Sequence, residues 1–149
     1  MRNYAWLLIP FSLSIIVLLV VYKLINVFPF GDRVPTTWDG FNQCYVFLKY
    51  LRQAILTGQN LNYSMLAALG MDNIALMTYY VTSPFNIIIF FFSDKHVIDC
   101  YLVLILLKVG CSAFTFAWFA HYKLKVKRFT AILFALAYSL MAWLVSIPF

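Results

Sequence analysis

The chain of 149 residues is 64% hydrophobic and only 11% charged, a balance that excludes an ordinary water-soluble domain, whose surface must be dressed in charge. Eleven Lys and Arg stand against five Asp and no Glu, for a net charge of +6. The cations sit in loops between apolar runs, so the excess reads as a topology signal, with membrane lipid as the expected partner and no nucleic acid.

The first apolar run, Tyr4 to Tyr22, holds nineteen residues, and at about 1.5 Å each these nearly match a hydrocarbon core of roughly 30 Å. It reads as a transmembrane helix over about 4–28. It is a retained anchor, because the run is too long for a signal peptide and no A-x-A pattern follows it. Two further runs are spans: Cys100 to Ala120, broken only by Lys108, and Phe129 to Phe149, with no charge at all. Their expected bounds are about 98–121 and 129–149. The stretch YYVTSPFNIIIFFF, Tyr79 to Phe92, is fourteen residues long and divided by Pro84 and Asn86. That length suits an interfacial or re-entrant helix better than a span.

Charge orders these segments. The connector HYKLKVKR, His121 to Arg128, carries four cations and no acid, which places it in the cytoplasm. Three spans then put the amino terminus inside and the long loop, about 29–97, outside. Four spans put the same loop in the cytoplasm. The expected fold is an all-α membrane protein with three transmembrane helices, the four-helix arrangement being the alternative.

Within the loop, Gly40 to Thr57 has apolar residues at Phe41, Cys44, Tyr45, Leu48, Leu51 and Ile55, with Asn42, Gln43, Lys49, Arg52 and Gln53 on the other face. This spacing predicts an amphipathic helix on the outer leaflet, ended by Gly58 in a left-handed conformation. Residues 60–73 form a polar, Gly-containing connector. Small residues recur at four-residue spacing, Ala113 and Ala117, then Ala131, Ala135 and Ser139. Such stripes let helices approach closely. Three spans have little to pack against alone, so the chain is expected to be the amino-terminal part of a larger protein or a subunit of one.

Few residues suggest chemistry. Asp39, in TTWDG, lies about ten residues past the first span and either caps the amphipathic helix through a backbone N–H or accepts a proton from a hydroxyl acceptor. Lys49 and Arg52 share a helix face and either hold a lipid phosphate or snorkel to ordinary headgroups. Lys108, mid-span, costs about 2.5–3.5 kcal/mol to insert. It either faces a polar cavity and contacts a donor phosphate or meets a partner on another helix. Asp99, nine residues away, is on the order of 13 Å distant along a helix and a poor partner for it. Asp32 and Asp72 are further loop carboxylates that nothing local singles out. Cys44, Cys100 and Cys111 form no CxxC pair and are expected as free, apolar thiols. His96 and His121 border apolar runs without a nearby ligand partner, so no metal site follows and no cofactor is evident. No P-loop, GxSxG or HExxH is present.

Taken in order, WDGFNQCYVFLKYLR, a Gly-containing connector, YYVTSPFNIIIFFF and a span containing LILLK resemble the amino-terminal region of the YfhO family of bacterial multi-pass membrane proteins. Those in turn resemble glycosyltransferases of the GT-C fold. The resemblance runs from about Trp38 to the third span. It implies a partial GT-C-like fold over residues 1–149 and an inverting transfer of a sugar from a polyprenyl-phosphate donor to a cell-envelope acceptor, a lipid or a polymer such as lipoteichoic acid, on the outer face of the bacterial membrane. By the same resemblance Asp39 is the catalytic carboxylate, and Gln43, Tyr45, Tyr80 and Ser83 fall in motifs that contact substrate. Lys49, Arg52 and Lys108 join them as candidate phosphate contacts. Cys44 departs from the larger side chain expected there, and family members are several times longer. A transporter or flippase fragment and a small non-catalytic membrane subunit are the alternatives.

Overall fold

Apolar sequence in lipid has no water to satisfy its backbone, so a single segment must close its N–H and C=O groups on itself, which the helix does. A computed structural model of the chain is accordingly predominantly helical. It describes residues 4–33, 44–59, 61–64, 70–72, 74, 78 and 83–141. Among the described residues two compact units emerge, one from 4–33 and 105–141, the other from those between 44 and 104.

The first unit begins with a 3-10 turn, Ala5–Leu7, that leads into helix α1, Leu8–Leu24. Pro10 is tolerated in the first turn because its missing N–H would have had no intrahelical partner. The hydroxyls of Ser12 and Ser14 donate back to the carbonyls of Leu8 (2.7 Å) and Phe11 (2.9 Å), so neither needs a partner outside the helix. Asn26 ends α1 with φ 54°. Around it Val27 N–H donates to Tyr22 O at 2.8 Å and Asn26 N–H to Lys23 O at 3.4 Å, the paired bonds of a Schellman motif with asparagine in the left-handed position. The bond from Phe28 N–H to Arg33 O (2.8 Å) then closes the following turn.

Helix α3, Val97–Tyr122, has its first residues in the second unit and the rest, from Ile105, in the first. In the first unit it packs on α1 at a glycine. A β-carbon at Gly110 would lie 2.8 Å from Phe11 Cε2 and 3.0 Å from Ile15 Cδ1, so the helices approach where a side chain is absent. Helix α4, Arg128–Ser139, packs on α1, and the rings of Phe116 and Tyr138 stack 4.5 Å apart between α3 and α4. Ala113, Ala117, Ala131, Ala135 and Ser139 are all fully buried, as the small-residue stripes predict. Ala117 and Ala135 join Leu7 in one cluster flanked by Trp6, Phe114 and Phe116. The opposite face of α1 exposes Leu8, Ile9, Ile16, Val20 and Leu24, which suits lipid and not water.

The second unit holds α2, Val46–Thr57, entered through a π-helical turn at Cys44 and Tyr45. Gly58 ends it at φ 67°, with Gln59 N–H on Ala54 O at 2.9 Å and Gly58 N–H on Ile55 O at 3.4 Å, so this glycine does what the sequence requires of it. Two short strands, β1 (Tyr63–Ser64) and β2 (Met71–Asp72), pair antiparallel, a small exception to the all-helical expectation. A 3-10 helix, Pro84–Phe91, packs against α2. The expected helix over 79–92 is thus narrower: its eight residues rise only about 16 Å at about 2.0 Å each, half of a hydrocarbon core. Its pattern is inside-out, with Asn86 and Ile89 buried while Ile87 and Phe91 are exposed, Phe91 at 84%. Residues 79–82 lie outside the described residues.

The two helices long and apolar enough to cross a membrane are Ala5–Leu24 and Asp94–Tyr122 among the described residues. The third expected span begins with α4, but its residues 142–149 lie outside the described ones.

Candidate functional site

The polar groups of the second unit converge where α2 meets the start of α3. Arg52 extends from α2, and its Nε–H donates to the carbonyl of Phe92 at 2.9 Å while Nη1 pairs with the carboxylate of Asp94. The Arg52 side chain is only 13% exposed and that of Asp94 68%, so the guanidinium reaches inward while the acid stands at the rim. A planar fork with several N–H donors is suited to holding a carbonyl and a carboxylate together. Two residues on, His96 Nδ1 lies 2.6 Å from Asp99 Oδ2. Asp94 and Asp99 occupy the first turns of their helical segments, where carboxylates are favoured by the helix dipole. Extended Ser93 sets the bend between the 3-10 helix and this turn, and His96 N–H donates to its carbonyl at 2.9 Å.

Two sequence expectations change here. Arg52 does not stand on a purely polar face: the buried seam of α2 runs through Cys44, Leu48 and Ala54, whereas Ile55, assigned to the apolar face, is 46% exposed. Arg52 has a partner forty-two residues away, which local periodicity cannot register. His96 does have a neighbour able to share a ligand or proton, Asp99. His121 donates from Nδ1 to the carbonyl of Val126 at 2.8 Å, a backbone bond within its own turn.

The remaining candidates fall as follows. Lys49 is exposed on α2, three residues before Arg52 and so on an adjoining part of the same helix surface. Tyr45 is half-buried in the π turn, and Ser83 is half-buried and extended, its carbonyl accepting Asn86 N–H at 2.9 Å. Lys108 is half-buried within α3, in the part of that helix belonging to the first unit. Asp39, Gln43 and Tyr80 lie outside the described residues, as does any capping of α2 by Asp39. Cys44, Cys100 and Cys111 are free thiols, the first two buried. No three His, Cys, Asp or Glu side chains come together among the described residues.

Asp94 escaped the sequence reading, although an acid following Ser93 at the entrance to a long apolar helix is a recognisable start signal. The His96/Asp99 pair had a signal too, its i,i+3 spacing. Chemically, the arrangement offers a rim carboxylate held by a guanidinium and an imidazole beside a second carboxylate. Such a set can accept hydrogen bonds from a hydroxylated group.

No curated protein matches the chain, and no solved structure does. The family model of the bacterial membrane protein YfhO matches residues 10–149, so nearly the whole chain is accounted for and the protein belongs to the YfhO family of bacterial membrane proteins.

Proposed function

We propose that this chain is the amino-terminal part of a multi-pass glycosyltransferase that moves a sugar from a polyprenyl-phosphate donor to a cell-envelope acceptor on the outer face of the membrane. Family membership supports a membrane protein, and the likeness of the sequence motifs to GT-C enzymes supports the chemistry. The observation that carries the reading is the charged cluster of Arg52, Asp94, His96 and Asp99 at the amino end of α3. That helix ends in a cationic connector. With the connector cytoplasmic, as the positive-inside rule directs, the three-span reading puts the loop that holds the cluster on the outer face. Three spans, α1, α3 and one beginning with α4, satisfy this arrangement.

In the proposed reaction Asp39 removes the proton of the acceptor hydroxyl as its oxygen attacks the anomeric carbon. The bond from that carbon to the phosphate oxygen breaks on the opposite side, so configuration inverts and polyprenyl phosphate leaves with the electron pair. Lys49 stabilises the phosphate charge, and Arg52 holds the loop through Phe92 and Asp94. Gln43, Tyr45, Tyr80 and Ser83 contact the sugar. A general base contributes about a hundredfold to ten-thousandfold. Asp39→Asn in the intact protein should therefore lower envelope sugar transfer by at least a hundredfold while leaving membrane abundance unchanged; transfer at the wild-type rate would remove Asp39 from the chemistry.

A further inference from the structure

The turn between α3 and α4 is more ordered than a topology signal needs to be. Lys123 N–H donates to Phe119 O at 2.8 Å, Val126 N–H to Ala120 O at 3.3 Å, and His121 Nδ1–H to Val126 O at 2.8 Å. Lys125 takes a left-handed conformation, φ 61°, uncommon for a side chain of its size. The closed turn presents Lys123, Lys125, Lys127 and Arg128, all exposed, with no acid among them. Two exposed apolar side chains adjoin these cations, Leu124 between Lys123 and Lys125 and Phe129 directly after Arg128. Beneath lies an aromatic floor in the same unit: the Arg128 guanidinium carbon is 5.8 Å from the centre of the Trp6 ring, Trp6 meets His121 edge-on at 5.1 Å, and Tyr4 meets Tyr122 at 5.7 Å.

We infer that this turn is a docking surface for anionic phospholipid headgroups of the leaflet it faces. The charge is complementary to phosphodiesters, and the adjoining Leu124 and Phe129 match acyl chains just below them, which a nucleic acid would not provide. Tyr and Trp at this level are the side chains that settle between headgroup and hydrocarbon. The turn is closed by its own hydrogen bonds, so the cations are held near one another before lipid arrives and little ordering is lost on binding. Diffuse attraction would require only the charge. A closed turn with an aromatic base retains particular lipids.

The test uses the full chain purified in a neutral detergent, with phosphatidylglycerol or phosphatidylcholine added and the retained lipid counted by native mass spectrometry. Phosphatidylglycerol should be retained at least tenfold more strongly than phosphatidylcholine, and 0.5 M KCl should abolish most of the difference. Each cation removed should weaken retention by about fivefold, so K123Q/K125Q/K127Q/R128Q together should lose the preference, while R33Q/K95Q, which removes two exposed cations elsewhere, should keep it. Equal retention of the two lipids by the wild-type chain, or an unchanged preference in the fourfold variant, overturns the inference. So does equal competition by inorganic phosphate or glycerol phosphate, which would mark a site for free anions. The salt dependence of the unmutated chain stands as evidence even where the fourfold variant does not fold.

Discussion

The two units solve opposite problems. In the first, close contacts are made where one partner is small: Gly110 against Phe11 and Ile15, and Ala117 and Ala135 around Leu7. In the second, the contacts that define the site are made by long polar side chains reaching across sequence, Arg52 to Phe92 and Asp94, and the elements are short and irregular. Lipid tails are as apolar as leucine, so helices in a bilayer gain from close approach and dispersion, and small residues serve that best. Backbone carbonyls and carboxylates left outside regular helices need partners, and an arginine with several donors can satisfy two at once.

That contrast can be broken deliberately. The largest effect is expected at Gly110, where even a methyl group would enter the Phe11 ring. Gly110→Leu should lower the stability of the detergent-solubilised chain by about 3 kcal/mol, at the upper end of overpacking costs, seen as a lower thermal midpoint. Hydrogen exchange should quicken across α1, α3 and α4; an unchanged midpoint would mean the helices are not held at this glycine.

Arg52→Ala should act locally and more weakly. Losing charge-assisted bonds to Phe92 and Asp94 costs about 2 kcal/mol, and because Asp94 is 68% exposed water replaces part of what is lost. Exchange should accelerate over residues 84–96 while residues 111–122 stay protected. Uniform acceleration would show that the arginine supports the whole helix set and not the site. Arg52→Lys should recover only part, since an ammonium cannot present the same fork.

The smallest change is expected for His96→Ala. Both side chains of the His96/Asp99 pair are substantially exposed, so stability should fall by less than about 1 kcal/mol. If sugar transfer falls tenfold or more at the same time, the pair belongs to the site's chemistry; if neither changes, it is an ordinary surface contact.

What could be read from the residues follows the same division. The apolar runs, the small-residue stripes and the terminating role of Gly58 are local or periodic, and each reads directly from spacing. The inward turn of Arg52 was hidden because Asp94 lies forty-two residues later, beyond any helical period. Asn26 and Lys125 also end or bend the chain with positive φ, but only glycine announces that conformation reliably. The 3-10 winding of Pro84–Phe91 was concealed by a composition that suits α-helix equally well. Asn86, read as an interruption, is buried at its centre.

The measurement that bears most directly on the account is the side of the membrane on which Gly58 lies. A paired reporter fused there in the intact protein, alkaline phosphatase for outside and green fluorescent protein for inside, should give phosphatase activity without fluorescence, and the reverse pattern should appear for a fusion at Lys125. Fluorescence at Gly58 would place Arg52 and Asp94 in the cytosol and contradict the proposed transfer at the outer face.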